Sequence, residues 1–386
     1  MLNDPLAIIA VLVSVVCVSR HLADRYMWAR RVSVIILIIF GSALCSNLGL
    51  IPSEDPIYGS IIGFAVPIAV CVILFTVSLP DVLIAGRPMI VAFVLASIAT
   101  VVGVLAANLV LQVPLSESLG VNSWRIAGPY TGTYIGGSLN FVSLWQGMGI
   151  DDPDLFAAAN AVDNLTLIPL FALWTLVPNW LTGKWKVSDF WKVESEPPVA
   201  QTDREEQFDL THVVTLVALA VVVTAVSEWV STRFIEPMLP GFPGILVVTT
   251  IALVLAQVGP IRRLAGAREL GDLAFYIFFA AIGAMINFVQ AVQMSPILFV
   301  YVAVVMVVHF VVLYGMGWLF RMDVAVLTIA SVATKGGPAL VPPLAESKDW
   351  RHLILPGIII AMMGYAVGNY VGFGVAHAVR MLVGGQ

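Results

Sequence analysis

Ten apolar stretches, each close to the length of a membrane-spanning helix, constrain this chain more than any other feature of its sequence. A helix needs about 20 mostly apolar residues to cross the hydrocarbon core of a bilayer. The stretches lie at 6–22, 32–50, 57–79, 88–112, 155–178, 211–230, 242–260, 273–291, 296–320 and 352–379. Arginines follow the first stretch rather than precede it, which favours a first span over a secretory signal. The pattern predicts an all-α, multi-pass membrane protein with its N-terminus outside.

Composition excludes the main alternative classes. Hydrophobic residues make up 60% of the 386 residues and charged residues 11%, whereas soluble domains carry about 25% charged residues. Disorder needs low hydrophobicity and a high net charge, and the formal net charge here is -5. Nucleic-acid binding needs a basic patch, and the 19 lysines and arginines form none that is visible in the sequence.

Two further apolar segments, at 122–149 and 322–347, are interrupted in the middle. Their glycine pairs, at 136–137 and 336–337, lie 200 positions apart. On each side of a polar linker at 183–209, the order is four spans, one interrupted segment and one span. This order predicts a duplication with a first repeat at 1–182 and a second at 210–386. The acidic, proline-bearing composition of 183–209 favours a flexible cytoplasmic tether.

The positions of lysine and arginine indicate how the interrupted segments sit in the bilayer. If each segment is a re-entrant hairpin, each half crosses five times and the two repeats are inverted. Only Arg125, Arg233 and Arg380 then fall outside, while Lys335 lies within the second interruption. If both segments cross fully, the basic cluster at 262–268 also moves outside, against the positive-inside rule. The sequence therefore predicts two inverted repeats, each with five transmembrane helices and one re-entrant hairpin.

Polar and glycine residues at the two hairpin tips form the candidate substrate site. Non-helical backbone within a membrane is tolerated only where it lines a cavity or is buried in protein. Glycine permits a sharp turn, and helix N-termini attract anionic groups. The candidate residues are Thr131, Thr133, Gly136, Gly137, Ser138, Asn140, Thr334, Lys335, Gly336, Gly337 and Asn369. Two equivalent tips favour a binding site over simple helix kinks. Lys335 is a candidate to bind a substrate carboxylate or to neutralise a buried acid.

Asp163 is the only carboxylate deep inside a predicted span. An ionisable residue at that depth is costly and is usually functional. Asn160, Asp163 and Asn164 share one helix face because they are spaced i, i+3 and i+4. A carboxylate flanked by amides can bind a cation such as Na⁺ through its oxygens or accept a proton, so these three residues are the candidate ion-coupling site. The alternative is a structural aspartate that caps a broken helix or pairs with Lys335.

Isolated polar residues in the predicted spans are expected to form interhelical hydrogen bonds. They are Asn108, Asn287, His309 and Asn369. Gly364, Gly368 and Gly372 recur every four residues, a spacing that lets a neighbouring backbone approach closely. The acidic run at 151–154 contains a proline and is interpreted as a surface turn followed by a helix start.

The tip motifs resemble a known family. The run Gly136, Gly137, Ser138 and Asn140, followed by the sequence AVDN at 161–164, resembles the YjcL-type membrane proteins, a domain-of-unknown-function family. The motif at 336–338 and the stretch at 356–368 match its C-terminal half. That family is grouped with cation–proton antiporters, bile-acid sodium symporters and the glutamate symporter GltS. The resemblance covers nearly the whole chain and implies an elevator-type fold, usually a homodimer, with a scaffold domain and a moving transport domain.

We therefore expect a secondary active transporter in a bacterial inner membrane, which moves a small organic anion or zwitterion by alternating access. Na⁺ or H⁺ is the expected coupling ion, and no other cofactor is expected. Spans 57–79 and 273–291, together with both hairpins and the spans after them, are the predicted moving core. The sequence leaves the choice between Na⁺ and H⁺ open, because one carboxylate can serve either ion.

A channel-like or regulatory protein on the same fold is the alternative, and such a protein would show no saturable, gradient-driven uptake. An enzyme is not expected. An intramembrane aspartyl protease needs two deep carboxylates, and only Asp163 is deep. A zinc protease needs the motif HExxH, which the sequence lacks.

Overall fold

The computed structural model describes residues 4–27, 34–78, 85–191, 209–238, 242–286 and 288–383, and all regular secondary structure in these ranges is helical. The helices of the first half are α1 Pro5–Arg25, α2 Val34–Asn47, α3 Pro56–Leu74, α4 Arg87–Val110, α5 Gln112–Leu119, α6 Ala127–Gly136, α7 Ser138–Gly147 and α8 Pro153–Leu181. Those of the second half are α9 Leu210–Val230, α10 Gly244–Ala256, α11 Gly259–Arg262, α12 Ala267–Ala284, α13 Phe288–Phe320, α14 Val324–Ser347 and α15 Ile354–Val383.

Eight helices in the described part of the chain are long and apolar enough to cross a membrane. They are α1, α3, α4, α8, α9 with its π-helical extension to Ile235, α13, α14 and α15. Helices α2 and α10 are apolar but shorter. The prediction of an all-α chain with many apolar helices of membrane-spanning length is confirmed.

Aspartate N-caps set where several of these helices begin. The side chains of Asp4, Asp55, Asp152, Asp209 and Asp323 each accept a hydrogen bond from a backbone N–H in the first turn of the helix that follows. Such caps satisfy backbone donors that have no partner within the helix. Asp152 accepts from the Leu155 N–H at 2.9 Å, which confirms the helix start predicted for the acidic run at 151–154.

The span predicted at 273–291 is displaced in the structure. Helix α12 begins at Ala267, includes the charged residues Arg268 and Asp272, and ends at Ala284. Helix α13 then begins at Phe288, well before the predicted start at 296, and Pro296 lies inside it. Hydropathy alone omits the charged first turns of α12 and divides the apolar run at the wrong point. Asn287 lies outside the described residues.

The first interrupted segment folds back on itself. The guanidinium of Arg125, just before α6, donates through Nη1 to the carbonyl of Gly149, just after α7, at 2.9 Å. The rings of Tyr130 on α6 and Phe141 on α7 lie 5.8 Å apart between centroids. In a continuous helix, residues 24 positions apart would be separated by about 36 Å. Helices α6 and α7 are therefore the two arms of a hairpin, as the sequence predicts.

The second interrupted segment also folds back, although α14 has the length and composition of a crossing helix. Ile329 and Val341 lie on opposite sides of the Gly337 turn, yet a Cβ placed on Gly357 would lie 2.7 Å from each side chain. A straight helix would separate these two residues by about 18 Å. Gly337 has non-helical backbone angles, φ 62° and ψ -166°, and it marks the tip of the second hairpin.

The helices pack as two groups. In the hairpin group, α4 packs against α13, and this pair contacts the hairpins together with α8 and α15. In the outer group, α3 packs against α12, and this pair contacts α1, α2, α9 and α10. The principal contacts between the groups join α7 to α3 and α10, α15 to α10, and α8 to α12.

The packing of the helices differs from the grouping predicted from the sequence. The sequence assigns spans 57–79 and 273–291 to the hairpins, but α3 and α12 belong to the outer group, and α4 and α13 take the predicted place. Helices α4 and α13 pack closely because Gly103 has no side chain: a Cβ there would lie 2.6 Å from the Val305 carbonyl. The Asn108 amide also donates to the Tyr301 hydroxyl at 2.8 Å. Average hydropathy does not show which of several apolar helices has such a contact surface.

The described beginning of the linker is bound to the protein. Trp185 and Trp191 donate through their indole N–H groups to the carbonyls of Met322 and Phe320, at 2.7 and 2.8 Å. These carbonyls belong to the connection between α13 and α14. The prediction of a flexible tether is therefore wrong for residues 185–191. Residues 192–208 of the linker lie outside the described residues.

Candidate functional site

The two hairpin tips have the same backbone geometry. Gly137 has φ 76° and ψ -175°, close to the angles of Gly337. Positive φ favours glycine because it lacks a Cβ, so the turn explains the second glycine of each pair. A Cβ placed on Gly137 would lie 3.6 Å from Cε1 of Tyr365, and one on Gly337 would lie 3.3 Å from its hydroxyl. Both tips therefore contact the same tyrosine on α15.

The glycines of α15 form the surface on which the first hairpin packs. A Cβ on Gly364 would overlap the Ile135 carbonyl, and one on Gly372 would lie 2.7 Å from the Gly128 carbonyl. The amide of Asn140 donates to the Gly364 carbonyl at 3.0 Å. The predicted close approach at the four-residue glycine spacing is confirmed, and it holds the first tip against α15.

Asp163 is buried beside the first tip. The hydroxyl of Thr133 on α6 donates to Oδ2 of Asp163 on α8 at 3.2 Å. Within the described residues Asp163 has no lysine or arginine at ion-pair distance. The alternative that it pairs with Lys335 is therefore wrong for this conformation.

The two asparagines of the predicted coupling site contact each other. The amide of Asn164 donates to the backbone carbonyl of Asn160 at 2.8 Å, and it lies 3.4 Å from Oδ1 of the same residue. The amide nitrogen of Asn160 is buried and has no hydrogen-bond partner. No three His, Cys, Asp or Glu side chains converge in the described ranges. A cation at Asp163 would therefore be bound by one carboxylate together with hydroxyl, amide and carbonyl oxygens.

Lys335 lies in a second polar cluster on the other hairpin. Its side chain is 5% exposed, and its Nζ lies 2.9 Å from Nε2 of His309 and 3.1 Å from Nδ1. The His309 ring also contacts the Thr100 hydroxyl at 3.1 Å and the Ser331 hydroxyl at 3.0 Å. The Ser331 hydroxyl accepts from the indole of Trp174 at 3.0 Å. This cluster joins α4, α8, α13 and α14.

One hydrogen bond connects the two polar clusters. The Thr100 hydroxyl donates to the carbonyl of Tyr134 at 3.2 Å, and Tyr134 follows Thr133, which contacts Asp163. The last turn of α6 therefore lies between a buried carboxylate and a buried amine. A charge at this depth needs a partner or a change in protonation, so both groups are suited to bind charged species.

Other predicted site residues occupy different surroundings. The Thr334 hydroxyl donates within its own helix to Ser331, at 2.9 Å. Asn369 lies on the far side of α15 and donates to the hydroxyl of Thr249 on α10 at 3.0 Å. Ser138 is exposed. Thr131 is buried and its hydroxyl has no hydrogen-bond partner.

The interhelical hydrogen bonds predicted for Asn108, His309 and Asn369 are confirmed. Sequence reasoning missed Tyr365, which both tips contact, and Trp174 and Thr100, which complete the Lys335 cluster. Tyr365 directly follows Gly364, one of the glycines on which the first hairpin packs. This is the one signal in the sequence that indicates its position next to a tip.

Two cavities lie between the helix groups. The larger has a volume of 570 Å³ and is lined by α3, α9, α10 and the end of α7, including Gln146 and Glu228. The smaller, of 320 Å³, shares Gln146 with it and extends to Asp151 and Asp152. Gly137 and Gly337 line neither cavity. Ser138 and Ala339, close to the two tip glycines, are nevertheless exposed. The cavities themselves lie at the boundary between the groups.

The fold and the tips define an all-helical protein with many apolar helices, in which two helical hairpins have their tips beside buried polar groups. The chain belongs to the family described as Protein of unknown function (DUF819), whose profile matches residues 7–382. It is also similar to the Uncharacterized membrane protein YjcL of Bacillus subtilis (strain 168), with 28% identity over 372 residues that cover 92% of each chain. The family predicted from the tip motifs is confirmed.

Proposed function

We propose that this protein is a secondary active transporter that moves a small organic anion or zwitterion, coupled to Na⁺ or H⁺. The observation that carries the proposal is the meeting of two hairpin tips between a buried carboxylate, Asp163, and a buried amine, Lys335. Non-helical backbone at membrane depth is tolerated where it is buried in protein or lines a cavity, and discontinuous helices form the solute and ion sites of many secondary transporters. The protein is proposed to have no enzymatic activity.

An anionic group on the solute fits the charges at the tips. Helix α7 begins at Ser138, directly after the tip glycine, and no side chain caps its N-terminus. Free backbone N–H groups at a helix N-terminus favour an anion. Lys335 has no carboxylate partner among the described residues, so a solute carboxylate would supply the missing counter-charge. Asn140 adds a buried amide oxygen without a hydrogen-bond partner, which could accept from an amino group.

Asp163 is the proposed site of the coupling ion. Its carboxylate lies within reach of the Thr133 hydroxyl, and Asn160 and Asn164 lie on the same face of α8. A sodium ion there would gain hard oxygen ligands, and a proton would remove the cost of a buried charge. Either ion would change the charge beside the first tip, and this gives a direct route from ion binding to solute binding.

Alternating access is proposed to occur by movement of the hairpin group against the outer group. Packing contacts made by the first half of the chain have counterparts in the second half. The contact of α1 with α2 corresponds to that of α9 with α10, and the contact of α2 with α12 corresponds to that of α10 with α3. Such pairing supports an inverted repeat, in which exchange of the two conformations opens the site to either side. Thr249 and Thr250 on α10 contact Asn369 and Tyr370 on α15 at 3.0 and 2.7 Å, and these bonds would break during the movement. A homodimer and kinship with GltS-like and bile-acid symporters are part of the proposal.

Thermal unfolding of the detergent-purified protein in Na⁺, K⁺ and choline salts at several pH values tests this function. A ligand that binds only the folded state raises the melting temperature by mass action. We expect a sodium-specific or pH-dependent shift in the wild type that is absent in Asp163→Asn and retained in the control Glu117→Gln, which changes an exposed carboxylate. Identical curves for wild type and Asp163→Asn in every salt would remove the coupling site. A channel or regulator is distinguished by the absence of saturable, gradient-driven uptake in proteoliposomes.

A further inference from the structure

Two arginines converge on one tryptophan at the open end of the first hairpin. The Cζ atoms of Arg125 and Arg380 lie 5.7 and 5.1 Å from the ring centroid of Trp124. The ring of His377 packs edge-on against the same indole, with centroids 5.9 Å apart. These four residues form the Trp124 cluster. They come from the turn before α6 and from the last turns of α15.

No carboxylate among the described residues neutralises the positive charge of the Trp124 cluster. Neither arginine forms an ion pair with a carboxylate in the part of the chain that the structure describes. Arg125 donates through Nη1 to the Gly149 carbonyl, but its Nε is buried and has no hydrogen-bond partner. Arg380 is exposed at the end of its helix. Two guanidinium groups beside one ring therefore retain free donors and a net positive charge.

The position of the cluster in the chain points to the membrane interface. The predicted topology places only three basic side chains outside, and two of them are Arg125 and Arg380. Basic side chains outside the membrane are contrary to the positive-inside rule. The convergence of two of them on one indole therefore indicates a specific binding partner. Tryptophan prefers the depth of the lipid headgroups, and a guanidinium can bind phosphate through two parallel hydrogen bonds.

We propose that the Trp124 cluster binds the phosphate group of an anionic lipid headgroup. The indole lies within 6 Å of both guanidinium carbons, and the guanidinium groups would donate to the phosphate oxygens. The lipid would tie the base of the first hairpin to the end of α15. This site is independent of the proposed transport function, because none of its residues belongs to the hairpin tips.

Titration of delipidated, detergent-purified protein with phosphatidylglycerol, phosphatidylcholine and inorganic phosphate tests the site, with native mass spectrometry and thermal unfolding as readouts. We expect phosphatidylglycerol to bind and to raise the melting temperature, whereas phosphatidylcholine does neither. Arg380→Gln should weaken phosphatidylglycerol binding about tenfold, the loss expected for one charge-assisted hydrogen bond. Arg380 is the residue to change because Arg125 also closes the hairpin.

Arg233→Gln is the matched control. It removes one positive charge on the same predicted side of the membrane, but Arg233 is exposed on α9's π-helical extension in the outer group. Equal weakening by both variants would mean that the attraction is general and would overturn the cluster as a site. Equal binding of both lipids by the wild type would also overturn it. A shift with inorganic phosphate alone would transfer the site from a lipid to a free anion.

Discussion

Packing of the first hairpin against α15 should depend on the absence of a side chain at Gly372. A Cβ at this position would lie 2.7 Å from the Gly128 carbonyl and would overlap the Leu144 side chain. Gly374, two residues further along the same helix, has nothing within 4 Å of its Cβ position. Alanine at either site gains the same helix propensity, about 0.5–1 kcal/mol. The difference between the two variants therefore isolates the cost of overlap with the hairpin backbone.

That cost should be about 1–3 kcal/mol, the range for overpacking in a close-packed interior. We expect Gly374→Ala to melt at or slightly above the wild-type temperature and Gly372→Ala to melt a few degrees below it. Tryptophan fluorescence during heating of the detergent-purified protein measures both variants. Equal melting temperatures for the two variants would refute the packing of the hairpin against α15, because backbone atoms at 2.7 Å cannot accommodate a methyl group without moving.

Two further predictions concern charged groups. Lys335→Met should leave the melting temperature unchanged or raise it, because it removes a buried amine without a carboxylate partner in the described residues. A large destabilisation would instead reveal a counter-charge. The hydrogen bond from the backbone N–H of Thr211 lowers the pKa of Asp209, so the cap stabilises α9 when ionised and this contribution is lost as the pH falls through that lowered pKa. Asp209→Ala should therefore melt below wild type at pH 7, and a difference that persists unchanged at pH values well below 4 would contradict the cap.

The hairpins could be predicted from the sequence because their signals are local. Glycine within an apolar run is favoured where a turn needs positive φ, as Gly137 and Gly337 show. The placement of arginine and lysine then distinguished a returning segment from a crossing one. The length and hydropathy of α14 alone would have indicated a span, so charge placement supplied the deciding information.

The grouping of the helices could not be predicted, because it depends on which surfaces fit each other. Helices α3 and α4 are both apolar, but Gly103 and Asn108 give α4 a surface that fits α13. The partner of Lys335 was missed for a similar reason. His309 appeared as an isolated polar residue, and only the packing of α13 against α14 brings it to the lysine.

Pulsed EPR distances measure the proposed movement between the two helix groups most directly. One spin label is placed at Thr232→Cys in the outer group and the other at Val121→Cys in the hairpin group, in a background without the three native cysteines. Both positions are exposed. Thr232→Cys with Ser60→Cys gives a control pair within the outer group.

We expect two distance populations for the pair across the groups, with proportions that change with Na⁺ or pH and lose this dependence in Asp163→Asn. The control pair should give one distance under all conditions. A single distance for both pairs, unchanged by salt, pH or the Asp163→Asn substitution, would contradict alternating access by movement of the hairpin group.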